Sequence, residues 1–154
     1  MLRSACALLL TLLALPVAAA EKYGISVNEN LRYLDDMARR PGIVKLEDGV
    51  MYRVLATGTG AAPTSRLDKA SVTYTGYLIN GGRFDHSRPD KPSIFIISRV
   101  IKGWTEVLMK VHEGDRWEVI IPAELAYGDG SAGAVPPGQT LMFILQLDHV
   151  EHQS

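Results

Sequence analysis

The stretch Ser71-Val72-Thr73-Tyr74-Thr75-Gly76-Tyr77-Leu78-Ile79 is dense in β-branched and aromatic residues. Such residues favour a pleated strand, and the Gly81-Gly82 step that follows it predicts a turn. Residues 116–121 and 139–150 alternate apolar with polar side chains, which predicts two more long strands. The centre of the chain is therefore typical of a β-sheet.

Shorter strands are predicted on both sides of this centre. Residues 43–46 and 50–56 flank the sequence Glu47-Asp48-Gly49, and an Asp-Gly step between two such runs predicts a β-hairpin. A further strand is predicted over residues 93–97, after an irregular loop that contains Pro89 and Pro92.

Two segments have helical spacing. Residues 100–112 place apolar side chains near a helical repeat, with Gly114 just beyond the end. Upstream, Ser26 and Glu29 have the spacing of a capping box and predict a short helix from residue 27 to about residue 40. We expect its apolar stripe to consist of four residues: Val27, Leu31, Leu34 and Ala38. The fold class predicted is α+β, with an antiparallel sheet packed on the helix at 100–112.

The first twenty residues are typical of a secretory signal peptide. An early basic residue, Arg3, precedes an apolar run at residues 5–15, and the segment ends in Ala18-Ala19-Ala20. We expect cleavage after Ala20 and no transmembrane segment in what remains; the alternative is an uncut N-terminal anchor. The single cysteine, Cys6, lies inside this signal, so the mature chain is predicted to hold neither disulfides nor thiolate ligands.

Composition and motifs exclude several classes of function. The 154 residues include 16 Lys and Arg against 17 Asp and Glu, and this balance disfavours nucleic acid as a partner. No motif of a hydrolase, a dinucleotide-binding fold, a phosphate loop or a zinc protease is present. His149, Glu151 and His152 could hold a metal, but near a chain end they favour a solvated tail, and no metal or other cofactor is predicted.

Aromatic residues next to turn residues carry a more specific signal. Six blocks occur in order: Tyr74-Thr75-Gly76, Gly82-Arg83-Phe84-Asp85-His86-Ser87, Val100-Ile101-Lys102-Gly103-Trp104, Ile121-Pro122-Ala123-Glu124-Leu125-Ala126-Tyr127-Gly128, Val135-Pro136-Pro137 and Leu141-Met142-Phe143. In order and approximate spacing they resemble the FKBP-type peptidyl-prolyl cis-trans isomerases. The lead-in at residues 42–52 is similar to the exported bacterial branch that includes the macrophage infectivity potentiators.

The resemblance implies a twisted half-barrel sheet wrapped around one short helix, with an apolar pocket between them. Together with the predicted signal and first helix, it divides the chain into a signal at 1–20, a helical lead-in at 21–41, an isomerase domain at 42–150 and a tail at 151–154. It implies a catalytic role for Asp85, Tyr127, Phe84, Trp104 and Ile101, with the indole as floor and the Ile101 N–H as a donor. It implies substrate contacts for Tyr74, Val100, Phe143, Val135 and Ala134.

The expected activity is isomerisation of X-Pro bonds in exported proteins of the periplasm or exterior, without a cofactor. Proline-containing polypeptides are the expected substrates, and macrolide inhibitors are a further class of expected ligand. The alternatives are a noncatalytic, chaperone-like module that binds peptides in the same pocket and a small-molecule carrier.

Ser93, the short loop at 128–135 and Ala134 depart from the family's pattern at the pocket rim. A long helical arm is missing, so a monomer, or a weak dimer through the first helix, is expected.

Overall fold

A computed structural model describes residues 25–153. It consists of one open, antiparallel seven-stranded sheet with two α-helices, which confirms the predicted α+β half-barrel class. The elements in chain order are α1 (Val27–Ala38), β1 (Val44–Lys45), β2 (Met51–Ala56), β3 (Lys69–Leu78), β4 (Arg83–His86), β5 (Ser93–Ile96), α2 (Lys102–Leu108), β6 (Arg116–Ile121) and β7 (Leu141–Glu151).

Long-range pairing holds the sheet together. The strand order is β1-β2-β6-β7-β3-β4, and β5 pairs with β3 on the same side as β4. The longest ladder joins β3 to β7, where Gly76 lies opposite Phe143. The two predicted turns form as expected, since Gly49 and Gly81 both adopt positive φ angles that favour glycine. The strands β4 and β5 share one edge of the sheet, because both pair with β3 on the side opposite β7.

We call the face of the sheet that packs on α2 the inner face. It holds the main core, in which Val107 and Leu108 of α2 are fully buried. The close approach of α2 to β6 depends on Gly103, because a Cβ there would lie 2.4 Å from Cγ2 of Ile121. The helix lies against the sheet because no side chain intervenes.

We call the opposite face, on which α1 packs, the outer face. The cluster here is small: Met37 of α1 contacts Met51 and Ile120, with Tyr33 and Leu34 half-buried around them. The buried Asn30 donates to the side-chain oxygen of Gln139 and accepts from the Thr140 N–H at 2.8 Å. A second, polar contact thus joins α1 to the start of β7.

The predicted helix at 27 to about 40 forms with its capping box, in which Ser26 and Glu29 each accept from the other's backbone N–H. Its predicted apolar stripe is wrong in part. Val27 and Leu31 are 62% and 58% exposed, whereas Asn30 and Met37 are buried. The sheet side of this contact presents Met51 and the Thr140 N–H. The helix therefore buries the face that carries Met37 and Asn30.

Two other segments differ from their predictions. The helix predicted over 100–112 is confined to Lys102–Leu108, because Val100 and Ile101 are extended and His112 N–H donates instead to Asp115. The strand β4 was missed, since its sequence Arg83-Phe84-Asp85-His86 lacks alternation and only the pairing with β3 defines it.

The C-terminal residues are also more fixed than a solvated tail. Glu151 belongs to β7, and the buried carboxylate of Asp68 accepts from the Gln153 N–H at 3.0 Å and lies 3.0 Å from His152 Nδ1.

The predicted signal peptide at 1–20 lies outside the described residues. Within residues 25–153, neither helix is long and apolar enough to cross a membrane.

Candidate active site

A cavity of about 280 Å³ opens between the inner face and the start of α2. This volume lies just below the range that is usual for small-ligand sites, roughly 300–1,000 Å³. The cavity is lined by Tyr74, Phe84, Asp85, Phe95, Arg99, Val100, Ile101, Trp104, Tyr127 and Phe143. Most of these residues are apolar or aromatic, so the cavity suits a small apolar ring.

Trp104 forms the floor of this cavity and is 4% exposed. Three rings meet its indole nearly at right angles: Tyr74 at 5.0 Å, Phe143 at 5.2 Å and Phe95 at 5.4 Å between centroids. Phe84 meets Phe143 in the same way at 5.6 Å. Edge-to-face contacts are favourable aromatic arrangements, so the rings hold one another in place.

A glycine makes this ring arrangement possible. A Cβ at Gly76 would lie 2.7 Å from Cε1 of Phe143 and 2.7 Å from Cζ of Phe84. Heavy atoms of real side chains do not approach so closely, so any other residue would displace both rings. Gly76 belongs to the first of the six sequence blocks, but its role is visible only once the strands pair.

Polar groups gather at one side of the mouth. The Tyr74 hydroxyl donates to Oδ2 of Asp85 at 2.8 Å, and Oδ1 of the same carboxylate accepts from the His86 N–H. Burial raises the pKa of Tyr74, and the hydrogen bond to Asp85 raises it further. Burial, together with the charge of Asp85, also raises the pKa of Tyr127. Both phenols are therefore neutral donors at pH 7.

Most of the residues predicted from the sequence lie together in this cavity. Asp85, Tyr127, Phe84, Trp104 and Ile101 all line it, and so do Tyr74, Val100 and Phe143. Val135 and Ala134 do not line it: Val135 is buried in the main core, and Ala134 is exposed. Substrate contacts for these two residues stay a prediction.

Sequence reasoning missed Phe95 and Arg99 as lining residues. Phe95 lies two residues after Ser93 on β5, and alternate residues of a strand share a face. Because Ser93 departs from the family's pattern at the pocket rim, it could have directed attention to Phe95. Ser93 itself lines a neighbouring groove with Arg88, Lys91, Pro92 and Ile94. Arg99 had no signal beyond its position next to Val100.

The histidines near the C-terminus do not form a metal site with other ligands. His149 pairs with Glu113 at 2.9 Å and His152 with Asp68, and among residues 25–153 no three metal-ligating side chains cluster. Each imidazole thus has one carboxylate partner, and the two pairs serve to fix the end of β7.

Comparison with protein families agrees with this geometry. Residues 60–148 match the family model described as FKBP-type peptidyl-prolyl cis-trans isomerase. The match begins just before β3 and ends within β7, so it includes every residue that lines the cavity.

Individual proteins are similar over a longer part of the chain. The FKBP-type 22 kDa peptidyl-prolyl cis-trans isomerase of Escherichia coli K12 is 40% identical over 129 residues, which cover 82% of this chain and 62% of that protein. The outer membrane protein MIP of Legionella longbeachae is 43% identical over 77% of this chain and 52% of its own length. The chain thus spans about half to three fifths of these relatives.

A solved structure of similar fold superposes on this chain along nearly the full length of the solved structure. The 1.6 Å crystal structure of a peptidyl-prolyl cis-trans isomerase from Pseudomonas syringae superposes with a TM-score of 0.76 at 30% sequence identity. The superposition covers 86% of this chain and 96% of that one.

Proposed function

The chain belongs to the FKBP-type peptidyl-prolyl cis-trans isomerase family, and we propose that it catalyses rotation about X-Pro bonds in other polypeptides. The observation that carries the proposal is the aromatic cavity floored by Trp104, because it offers a prolyl ring an apolar enclosure with polar groups on one side only. No covalent bond breaks in this reaction, so the site requires no nucleophile and no general base.

The physical barrier is the partial double bond of the imide, about 18–20 kcal/mol. In the planar ground state, resonance places negative charge on the carbonyl oxygen, and water stabilises that charge. A twisted imide loses the resonance and carries less charge. Moving the imide from water into the apolar cavity therefore costs the ground state more than the transition state. A millionfold acceleration corresponds to about 8 kcal/mol.

The residues at the mouth have distinct roles in this proposal. The Tyr74 hydroxyl is engaged with Asp85. Tyr127 is 41% exposed, and its hydroxyl donates to a carbonyl beside the proline. Ile101 is the N-cap residue of α2, and the N–H groups at a helix start lack intrahelical acceptors. We assign the Ile101 N–H to a second substrate carbonyl. The negative charge of Asp85 disfavours the charge-separated planar imide.

Substrates, ligands and location belong to the same proposal. The substrates are proline-containing segments of exported proteins, since residues 1–20 are typical of a signal peptide cut after Ala20. Macrolides that enter the same cavity would inhibit. The functional domain is residues 42–150, with 21–41 as lead-in and 151–154 as a tail whose first residue, Glu151, still belongs to β7. The chain acts as a monomer, or as a weak dimer through the exposed Val27 and Leu31 of α1.

The decisive experiment is the cis-to-trans relaxation of a proline-containing chromogenic tetrapeptide. Without catalyst the relaxation takes tens to hundreds of seconds. Catalytic amounts of the protein should accelerate it, and Asp85→Ala, Tyr127→Phe or a macrolide should suppress the acceleration. Arg40→Gln, on the exposed surface beyond α1, is the matched control and should keep full activity. If the wild-type protein binds the peptide without accelerating its relaxation, the noncatalytic peptide-binding module is the correct function.

A further inference from the structure

Charge is distributed unevenly along the chain. The whole sequence has a net charge of -1, yet the segment from Arg83 to Lys102 contains five Lys and Arg residues against two Asp residues. This segment supplies β4, β5 and the residues that lead into α2. Six of the ten residues that line the cavity belong to it: Phe84, Asp85, Phe95, Arg99, Val100 and Ile101. The segment that supplies most of the cavity lining therefore carries a net charge of +3 in a chain that is otherwise acidic.

Arg99 is the cation closest to the cavity. It lines the cavity together with Val100 and Ile101, and it is exposed. Among the residues that the structure describes, no carboxylate forms an ion pair with Arg99 or with Lys102, three residues further along the chain. The carboxylate at the mouth, Asp85, is engaged with the Tyr74 hydroxyl and the His86 N–H. The guanidinium of Arg99 is thus free to meet a charge on the substrate.

The same charge continues beyond the cavity. The groove beside it is lined by Arg88, Lys91, Pro92, Ser93 and Ile94. It adjoins the cavity, because Ser93 and Ile94 precede the cavity residue Phe95 on β5. Within residues 25–153, the one carboxylate paired with these cations is Asp90, at 3.6 Å from Arg88, and both side chains are about three quarters exposed. A peptide that leaves the cavity over β5 meets two more positive charges.

We propose that Arg99, assisted by Arg88 and Lys91, selects prolyl segments that carry an acidic residue beside the proline. The inference rests on the proposed isomerase function and adds a substrate class to it. Exposed ion pairs are weak individually, so the selection is modest. It acts partly through the rate of encounter, since a charged mouth concentrates oppositely charged ligands and loses this effect in salt.

The test compares acetylated, amidated peptides Ala-Xaa-Pro-Phe in which Xaa is Glu, Gln or Lys, by NMR exchange spectroscopy with the purified full chain. At low salt we expect kcat/KM for the Glu peptide to exceed that for the Gln peptide by about two- to fivefold, the range of one exposed ion pair. The Lys peptide should fall below the Gln peptide. In about 0.5 M salt, roughly three times the physiological ionic strength, the three rates should converge.

Substitutions of Arg99, Arg88 and Lys91 test whether these residues cause the preference for the Glu peptide. Arg99→Gln should reduce the Glu-to-Gln ratio towards one, Arg99→Glu should invert it, and Arg99→Lys should keep it because the charge is retained. Arg40→Gln should leave the ratio at its wild-type value, since Arg40 follows α1 on the outer face. Adding Arg88→Gln and Lys91→Gln should lower the salt dependence for longer acidic peptides.

The outcomes separate this inference from the proposed function. If the chain accelerates the Glu and Gln peptides equally at low salt, the inference is wrong and the isomerase function stands. If it accelerates none of the three peptides, both are wrong. If the Glu preference persists in Arg99→Gln, another group reads the acidic residue and the assignment to Arg99 is overturned.

Discussion

The two faces of the sheet are built on different principles. The inner face packs α2 through a continuous core of large side chains, and its aromatic rings double as the walls of the cavity. The outer face packs α1 through three buried apolar residues, Met37, Met51 and Ile120, and through the buried amide of Asn30. Stability and function are thus coupled on the inner face, whereas the outer face stabilises one helix without touching the cavity.

The largest effect is expected on the inner face. Trp104→Ala should lower the free energy of unfolding by about 3–5 kcal/mol, the usual cost of removing a buried aromatic side chain. The same change removes the cavity floor, so isomerase activity should fall with stability. Urea unfolding and the peptide relaxation assay measure the two quantities. If activity survives in the folded fraction, the inner face does not couple stability to function.

A smaller effect is expected on the outer face. Met37→Ala should lower the free energy of unfolding by about 2 kcal/mol, the lower end of the usual range for a buried methionine. The loss is small because the surrounding cluster can close around the space. The loss should appear as local opening of α1, with faster hydrogen exchange of its amides and little change in β3 or β7. Activity at 25 °C should remain at the wild-type level. A loss of activity comparable to that of Trp104→Ala would show that the two faces are not independent.

Adding a single methyl group at Gly76 tests the shape of the cavity separately from the volume of the core. Gly76→Ala should lower the free energy of unfolding by about 1–3 kcal/mol, because the added Cβ overpacks against Phe84 and Phe143. Activity should fall much more, by about a hundredfold, if the rings shift by roughly 1 Å. The control is Gly82→Ala, whose Cβ would meet only the flexible side chain of Asn80. Equal activity of the two variants would mean that the ring positions do not limit catalysis.

The smallest effect concerns neither face but the end of β7. Backbone N–H groups of Gln153 and Thr64 hold the pKa of Asp68 well below its ordinary value near 3.8. A depressed carboxyl pKa contributes stability that is fully present above the unfolded-state pKa and is lost as the pH falls towards the folded-state pKa. Asp68→Asn should therefore be less stable than wild type at pH 7, and the difference should shrink below pH 4.

Urea midpoints at pH 7, 4 and 3 would test the Asp68 prediction. His152 also faces Asp68, at 3.0 Å, so His152→Gln serves as the matched control for a change in the imidazole rather than in the carboxyl group. A stability difference between Asp68→Asn and wild type that stays constant with pH would contradict the role of the ionised carboxylate.

Much of the cavity could be predicted from the sequence, because the six blocks place eight of its ten lining residues. The other two, Phe95 and Arg99, could not be identified in the same way. Phe95 reaches the cavity because Ala70 pairs with it across β3 and β5, and Arg99 because a 3₁₀ turn ends there. Neither the register between distant strands nor the direction of a turn is encoded in local periodicity.

The outer face gives the complementary lesson. The capping box and the length of α1 follow from local hydrogen bonds, and they formed as predicted. The buried side of α1 did not follow, since Val27 and Leu31 are more apolar than Asn30 yet remain exposed. Asn30 is buried because the Thr140 N–H, 110 residues away in the chain, requires an acceptor.

By itself the sequence determined most of the element types, the two glycine turns, the family and most of the aromatic residues of the cavity. These features depend on interactions between residues a few positions apart, or on a pattern preserved along the chain. Only the tertiary structure decided which face of α1 is buried, why Gly76 must lack a side chain, and that Arg99 stands at the mouth. Those features depend on which distant strands pair and in what register, because contact between remote residues is set by packing of the whole sheet.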